Sequence, residues 1–195
     1  MNIIVRPYDS SMCYCRPDTT WERENKDFYV PGSIDVIDWA PILFVRISKA
    51  GKCIGKKFAS RYYDAFNYGA LLYCRKEGSD EIAFTSCADH SSLLPAPLYN
   101  PVVLESPDNT FEVSRNGEAS FAYPASGKNE PAEGMLKEMI EDTICRASEM
   151  TSVRIGDYIA IELAPAGILA TREEGDVRFQ ARYCENSLYD LNIIF

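Results

Sequence analysis

Few side chains in this sequence have both the type and the spacing that catalysis needs. Ser86, Asp89 and His90 supply the residue types of a hydrolytic triad, with Cys87 as a neighbouring thiol. In a working triad the acid orients the imidazole, and the imidazole takes the nucleophile's proton, so geometry decides. Adjacent Asp89 and His90 are badly placed to orient one another, and the segment reads as a surface loop. Nothing beside Cys87 in the sequence lowers its pKa, so it reads as an ordinary free thiol. Cys13-x-Cys15 offers two thiolates for a soft metal, with Cys53 or Cys184 as further ligands. That spacing is too short for a zinc knuckle, and His90 is the only histidine available to help. Neither a G-x-x-x-x-G-K-[ST] phosphate loop nor a G-x-G-x-x-G fingerprint is present.

Composition narrows the classes further. A chain of 195 residues suits one domain, and 46% hydrophobic with 12% aromatic residues is a globular composition. The net charge of -9 argues against nucleic acid, because phosphate contacts need clustered Lys and Arg. The nearest approach to such a cluster is Lys49, Lys52, Lys56, Lys57 and Arg61. It reads as a solvated corner, with an anionic ligand as the alternative. No apolar run reaches the ~18 residues of a membrane span, and Met1 to Pro7 lacks the charged start and long apolar centre of a signal peptide. Seven irregularly spaced cysteines fit free thiols in a reducing cytoplasm.

The elements that must position any site follow from periodicity. Ile42 to Ile47 is a nearly unbroken apolar run and predicts a buried strand. Phe58, Tyr62 and Phe66 recur every four residues and predict one face of a helix over 54–66. Tyr68 to Cys74 reads as a strand, residues 16–33 as loop, and Val102 to Leu104 as a short strand among prolines. Phe111 to Val113 and Ala119 to Tyr123 flank Asn116-Gly117, a strong hairpin signal. Asn129 is placed to cap a helix from Pro131 to about Thr151, with Met135, Leu136, Met139, Ile140 and Ile144 as its apolar stripe. Tyr158 to Leu163 predicts a strand. Val177, Phe179, Ala181 and Tyr183 alternate with polar residues, as in a strand with one wet face, and Leu188 to Phe195 closes the series. Many strands and two main helices make a β-rich α+β domain around one core.

The last third carries an ordered set of motifs: the helix, Ile155-Gly156-Asp157-Tyr158-Ile159, Ala164-Pro165-Ala166-Gly167, then Glu174-Gly175-Asp176-Val177. This resembles the C-terminal core of the fumarylacetoacetate hydrolase family, metal-dependent enzymes of small oxo-acids and diketo acids. Upstream, Arg16-Pro17-Asp18-Thr19 is similar to the K-P-D-T that opens the small bacterial members, and the likeness runs to Phe195. The resemblance implies one domain over 1–195, with residues 1–15 as a shortened segment lacking the family's lid.

The same resemblance shows what this chain lacks. The family holds Mg²⁺, Mn²⁺ or Ca²⁺ with an acid-x-acid pair on one strand and a third acid on the next. Those positions fall on Ala40, Ile42 and Leu71, which offer no oxygen to a hard cation. The lid's His–Glu pair is absent, the family's Lys has no counterpart among Phe84, Thr85, Ser86 and Cys87, and Ala164 replaces a Thr. A catalytically silent binding or partner subunit is therefore expected, with no catalytic residue and no cofactor. A retained pocket would draw on Arg16, Asp18, Asp38, Glu162, Ala164, Pro165 and Gly167, with a small oxo-acid as ligand. One alternative is a hydrolase, decarboxylase or isomerase with a site rebuilt from Asp35, Asp38, Asp89 or Glu162 around Mg²⁺ or Mn²⁺. Another is a purely structural protein with a filled pocket. The family's habit of pairing implies a homodimer, or a heterodimer with an active relative.

Overall fold

A computed structural model describes residues 1–76, 82–106, 108–124 and 134–195. In chain order the elements are β1 (Ile3–Arg6), β2 (Tyr14–Arg16), β3 (Trp21–Glu22), β4 (Phe28–Tyr29), β5 (Val36–Ile47), α1 (Lys56–Ala59) and β6 (Tyr63–Arg75). They continue with α2 (Ile82–Thr85), β7 (Ser92–Leu93), β8 (Phe111–Arg115), β9 (Glu118–Tyr123), α3 (Met135–Met150), β10 (Tyr158–Glu162), β11 (Gly167–Thr171), β12 (Val177–Tyr183) and β13 (Asn186–Ile194). The result is a β-rich α+β fold.

One mixed sheet runs β2-β1-β10-β5-β6-β7-β3. Strands β10 and β11 lie end to end along the same edge of β5, the first on residues 42–46 and the second on residues 36–39. The sheet curls so far that its ends approach each other. Tyr14 on β2 places its hydroxyl 2.8 Å from that of Tyr73 on β6, and β2 is joined to β3 by a single 3₁₀ turn, Asp18–Thr20. Inside the curl sits an apolar cluster that includes Ile3, Val5, Ala40, Ile42, Phe44, Leu71 and Ala160. One end is stoppered by edge-to-face rings, Trp21 and Phe44 against Tyr158 at 5.2 and 5.6 Å.

The outer face packs on a second sheet, β4-β13-β12-β8-β9. There Leu43, Val45, Ile159 and Ile161 share a core with Val177, Phe179, Ala181 and Tyr183. The alternation of β12 is fully expressed, with Arg178 and Arg182 exposed. The hairpin between β8 and β9 has Asn116 at φ 51° and Gly117 at φ 83°, the left-handed pair of a two-residue primed turn.

Several expectations change. Residues 54–66 are not one helix. Among them α1 covers Lys56–Ala59 alone, and Phe66 lies in β6 opposite Val45. A spacing of four fits a two-residue repeat as well as a 3.6-residue one, and the long edge of β5 decides for strand. Val102 to Leu104 lie in a 3₁₀ turn, Pro101–Glu105. The Asn100 side chain caps it by accepting from the Val102 amide at 3.0 Å. Residues 16–33 are not all loop, since they carry β3 and β4. Of the α-helices among the described residues, α3 alone exceeds four residues. Asn129 and Pro131 lie outside the described residues. Helix α3 follows Gly134, at φ 78°, and buries Leu136, Ile140 and Ile144 while Met135 stays exposed. The single core becomes two, because the curl encloses its own. Residues 1–15 contribute β1, whose Ile3, Ile4 and Val5 are buried beside β10.

Two substitutions test this packing. The Tyr189 hydroxyl is buried in the second sheet without a hydrogen bond among the described residues. Tyr189→Phe is expected to raise stability by about 1 kcal/mol in denaturant melts, by removing an unsatisfied polar group. Gly69 lies where an added Cβ would come within 2.1 Å of the Leu93 carbonyl oxygen. Gly69→Ala is expected to cost about 1–3 kcal/mol or more, through displaced backbone.

Candidate functional site

Side chains two apart on a strand share a face. On β5 the inward row reads Asp38, Ala40, Ile42, Phe44. Register sets Tyr73 opposite Asp38, Leu71 opposite Ala40, and Gly69 opposite Ile42 on β6. On β10, Glu162 lies opposite Ile42. Ala40, Ile42 and Leu71 therefore do converge on one place, but as fully buried apolar side chains in the inner cluster. They form a floor. Above it the row turns polar at Asp38, Tyr73, Arg75 and Glu162, which line a cleft of about 360 Å³ at the mouth of the curled sheet. Pro7 and Ala166 complete its rim, and Ile82 and Thr85 of α2 form one wall.

Glu162 is the most constrained acid here. It is 6% exposed; Oε1 accepts from the Tyr73 hydroxyl and Oε2 from the Tyr8 amide at 2.9 Å. Burial pushes its carboxyl pKa up, against the opposing pull of those hydrogen bonds and of the Arg16 charge. Burial also raises both phenols, Tyr14 to about 12, so the Tyr14–Tyr73 pair is protonated near neutrality. Arg16 lies behind this chain with its guanidinium 5.0 Å from the Tyr73 ring centre. It is only 1% exposed. Its N–H groups donate to Ser86 O, Ser91 O, Ser92 Oγ and Leu72 O. It is not a surface residue, and Tyr73 stands between it and the cleft.

The other expected pocket residues scatter. Asp38 shares the mouth with Glu162, paired to Arg75. Ala164 and Pro165 belong to the β10–β11 loop and Gly167 opens β11, with Ala164 half-buried and the other two exposed. Asp18 and Asp89 line a different cleft of about 460 Å³ beside His90. Asp35 lies near Arg172 at 3.8 Å. His90 is on the surface, as expected, but it has a partner: its Nδ1 is 2.8 Å from Oε2 of buried Glu22. Ser86 instead donates its hydroxyl to Ile82 O, so no triad forms with Asp89 and His90. The seven cysteines are all free.

Tyr73 and Arg75 were within reach of sequence reasoning, since they share the two-residue repeat of Leu71. Tyr14 and Glu22 carried no such signal. A hard divalent ion needs about six oxygen ligands. The floor offers none, and the two mouth acids already hold protein partners. Among the described residues no group of three or more His, Cys, Asp or Glu is placed to hold a metal ion. The residues present do not fit the metal that the resemblance implies. No helix among the described residues is long and apolar enough to cross a membrane.

The sequence matches no protein-family model and no curated protein. Solved structures do match. A fumarylpyruvate hydrolase from Pseudomonas aeruginosa, in complex with Mn²⁺ and pyruvate, superposes with a TM-score of 0.70 at 14% identity, covering 99% of this chain and 87% of that one. A 2-hydroxyhepta-2,4-diene-1,7-dioate isomerase from Mycobacterium marinum gives 0.72 at 12%, covering 99% and 72%. A protein assigned to the fumarylacetoacetate hydrolase family from Yersinia pestis gives 0.74 at 13%, covering 99% and 92%. The chain has the fumarylacetoacetate hydrolase fold.

Two measurements check the site. Titration with Mn²⁺ is expected to show no binding tighter than about millimolar; a stoichiometric micromolar site would contradict the geometry. Glu162 keeps its proton to higher pH folded than unfolded. Its contribution to stability is thus present at low pH and is lost as pH rises from about 4.3 through the raised value. Against Glu162→Gln, the native chain is expected to lose melting temperature over that rise. A gain would reverse the assigned direction.

Proposed function

We propose that this protein binds a small oxo-acid at the mouth of its curled sheet and moves a proton on it without a metal ion. The observation that carries this reading is Glu162. It is a buried carboxyl held at both oxygens, facing a cleft, with its proton affinity raised by burial. A group so tuned is suited to take a proton from the carbon beside a ketone and return it at another position. Tyr73 and Tyr14 form a hydrogen-bonded chain behind Glu162 that steadies it in either protonation state. The buried charge of Arg16 favours negative charge forming at the mouth.

Isomerisation fits these residues better than hydrolysis. Cleaving a carbon–carbon bond needs activated water and a polarised carbonyl. The Lys and lid His–Glu pair that the resemblance associates with those tasks have no counterpart. The isomerase and hydrolase names among the structural neighbours agree with oxo-acid chemistry as a class. Binding without turnover is the second reading, favoured by the apolar floor of Ala40, Ile42 and Leu71. Under either reading we propose a dimer, with itself or with an active relative. One edge strand of the second sheet, β9, carries exposed Ala119 and Ser120 and pairs on one side only among the described residues. The free thiols suit a cytoplasmic setting.

The test is deuterium exchange at C3 of pyruvate or 2-oxobutyrate, followed by proton NMR. Exchange above the blank is expected, unchanged by EDTA or added Mn²⁺. Glu162→Gln should lower it about 10²-fold or more. Exchange equal to the blank, with the oxo-acid still raising the melting temperature, would leave the binding reading in its place.

A further inference from the structure

Three Arg–Asp pairs in this protein share one design but not one quality. Arg46 meets Asp64 as a fork, Nε to Oδ1 and Nη2 to Oδ2, both at 3.0 Å. Arg178 meets Asp190 in the same way at 2.9 and 2.7 Å. Two parallel N–H···O bonds are the preferred geometry of a guanidinium and a carboxylate. At the mouth, Arg75 and Asp38 make half of it. Nη2 donates to Oδ1 at 3.2 Å. Nε lies 3.0 Å from Oδ2, yet its N–H is misdirected, and the atom is buried with no hydrogen bond among the described residues. An ion-pair distance without a hydrogen bond means the charges are close but the fork is unseated.

Asp38 lies in β5 opposite Tyr73, and Arg75 lies two residues further along β6, opposite Val36. Arg178 and Asp190 are offset by two residues as well and still fork, so the offset alone does not unseat the pair. The two forked pairs lie at more exposed positions where both side chains are free to align, whereas Asp38 is confined at the mouth. A carboxylate not tethered to β5 is under no such restraint. The Arg75 side chain is about one-third exposed and that of Asp38 about one-fifth, with Nε itself covered while Asp38 is in place. Both line it together with Glu162.

We propose that Arg75 is the carboxylate anchor of this cleft and that Asp38 is its built-in competitor. Resting on the reading of the mouth as a ligand site, this adds the substrate class: small 2-oxo monocarboxylates. The ligand carboxylate takes both the Nε–H and the Nη2–H of Arg75, and Asp38 swings out into water. The reactive carbon then lies towards Glu162. A second carboxylate on the ligand would meet Asp38 or Glu162, and among the described residues no further exposed cation lines the cleft to receive it. Dicarboxylates bind worse for that reason. The competitor also sets the affinity, because a site occupied by its own side chain binds in proportion to the fraction of time it is vacant.

Titration calorimetry with pyruvate and 2-oxobutyrate, with methyl pyruvate as the uncharged control, tests the assignment. Asp38→Asn is expected to tighten binding of the acids about tenfold and to leave the ester unchanged. Arg75→Gln should abolish binding of the acids, and Arg75→Lys, which keeps the charge but loses the fork, should fall between. Glu162→Gln should still bind while losing deuterium exchange, which separates anchoring from proton transfer. Circular dichroism melts confirm that each variant is folded, and Asp38→Asn carries the test if Arg75→Gln is not. Unchanged or weaker binding in Asp38→Asn, or a dicarboxylate preferred over pyruvate, would overturn the anchor while leaving the mouth reading intact. No binding of any oxo-acid by either the native chain or Asp38→Asn would overturn both.

Discussion

The buried guanidinium of Arg16 holds the curled sheet shut. Taking a cation out of water costs several kcal/mol unless its N–H groups are satisfied. Arg16 meets that cost with four bonds to neutral oxygens on three separate parts of the chain: Leu72 on β6, Ser91 and Ser92 at β7, and Ser86 after α2. Each bond fixes β2 against the far side of the sheet, and together they close it. The Tyr73 ring covers the guanidinium, adding a cation–π contact. With Arg16 in place, Tyr73 has one orientation, and its hydroxyl reaches Tyr14 on one side and Glu162 on the other. The polar mouth is thus a consequence of the closure.

The floor beneath it follows a different rule. The positions that converge in the curl are those that the resemblance assigns to metal-binding acids. A cluster of acids buried there without a cation would be strongly unfavourable. Ala40, Ile42 and Leu71 remove that problem by filling the space with apolar atoms. Close approach leaves little room to reverse it, since the Leu93 carbonyl already crowds Gly69 beside Ile42. The carboxyl groups lie beside this floor, Asp38 one step along the inward row of β5 and Glu162 on β10 opposite Ile42, with hydrogen-bond donors and an arginine as their partners.

His90 and Glu22 show how a polar pair forms from residues far apart in the chain. Glu22 is buried because β3 pairs with β7, and its Oε1 accepts the Glu24 amide at 2.6 Å. His90 reaches its other oxygen from a left-handed backbone position, φ 60°, held by its own amide to Thr19 O. The pair lies outside the curl and ties the segment after β3 to the loop before β7.

The sequence by itself determined the strands with one wet face, the Asn-Gly hairpin, the buried run that became β5, and the apolar character of Ala40, Ile42 and Leu71. These are local facts, set by side-chain alternation, turn stereochemistry and residue type, and they need no knowledge of distant partners. The structure decided that Phe66 belongs to a strand, because a four-residue spacing satisfies two periods and only the edge of β5 chooses between them. It decided that Arg16 is a buried staple and not a surface cation, because burial depends on which strands close over a residue. It also decided that Asp38 and Glu162 face one cleft while Asp18 and Asp89 face another. The first pair is more than a hundred residues apart in the chain and the second about seventy, and sheet pairing is what brings each together.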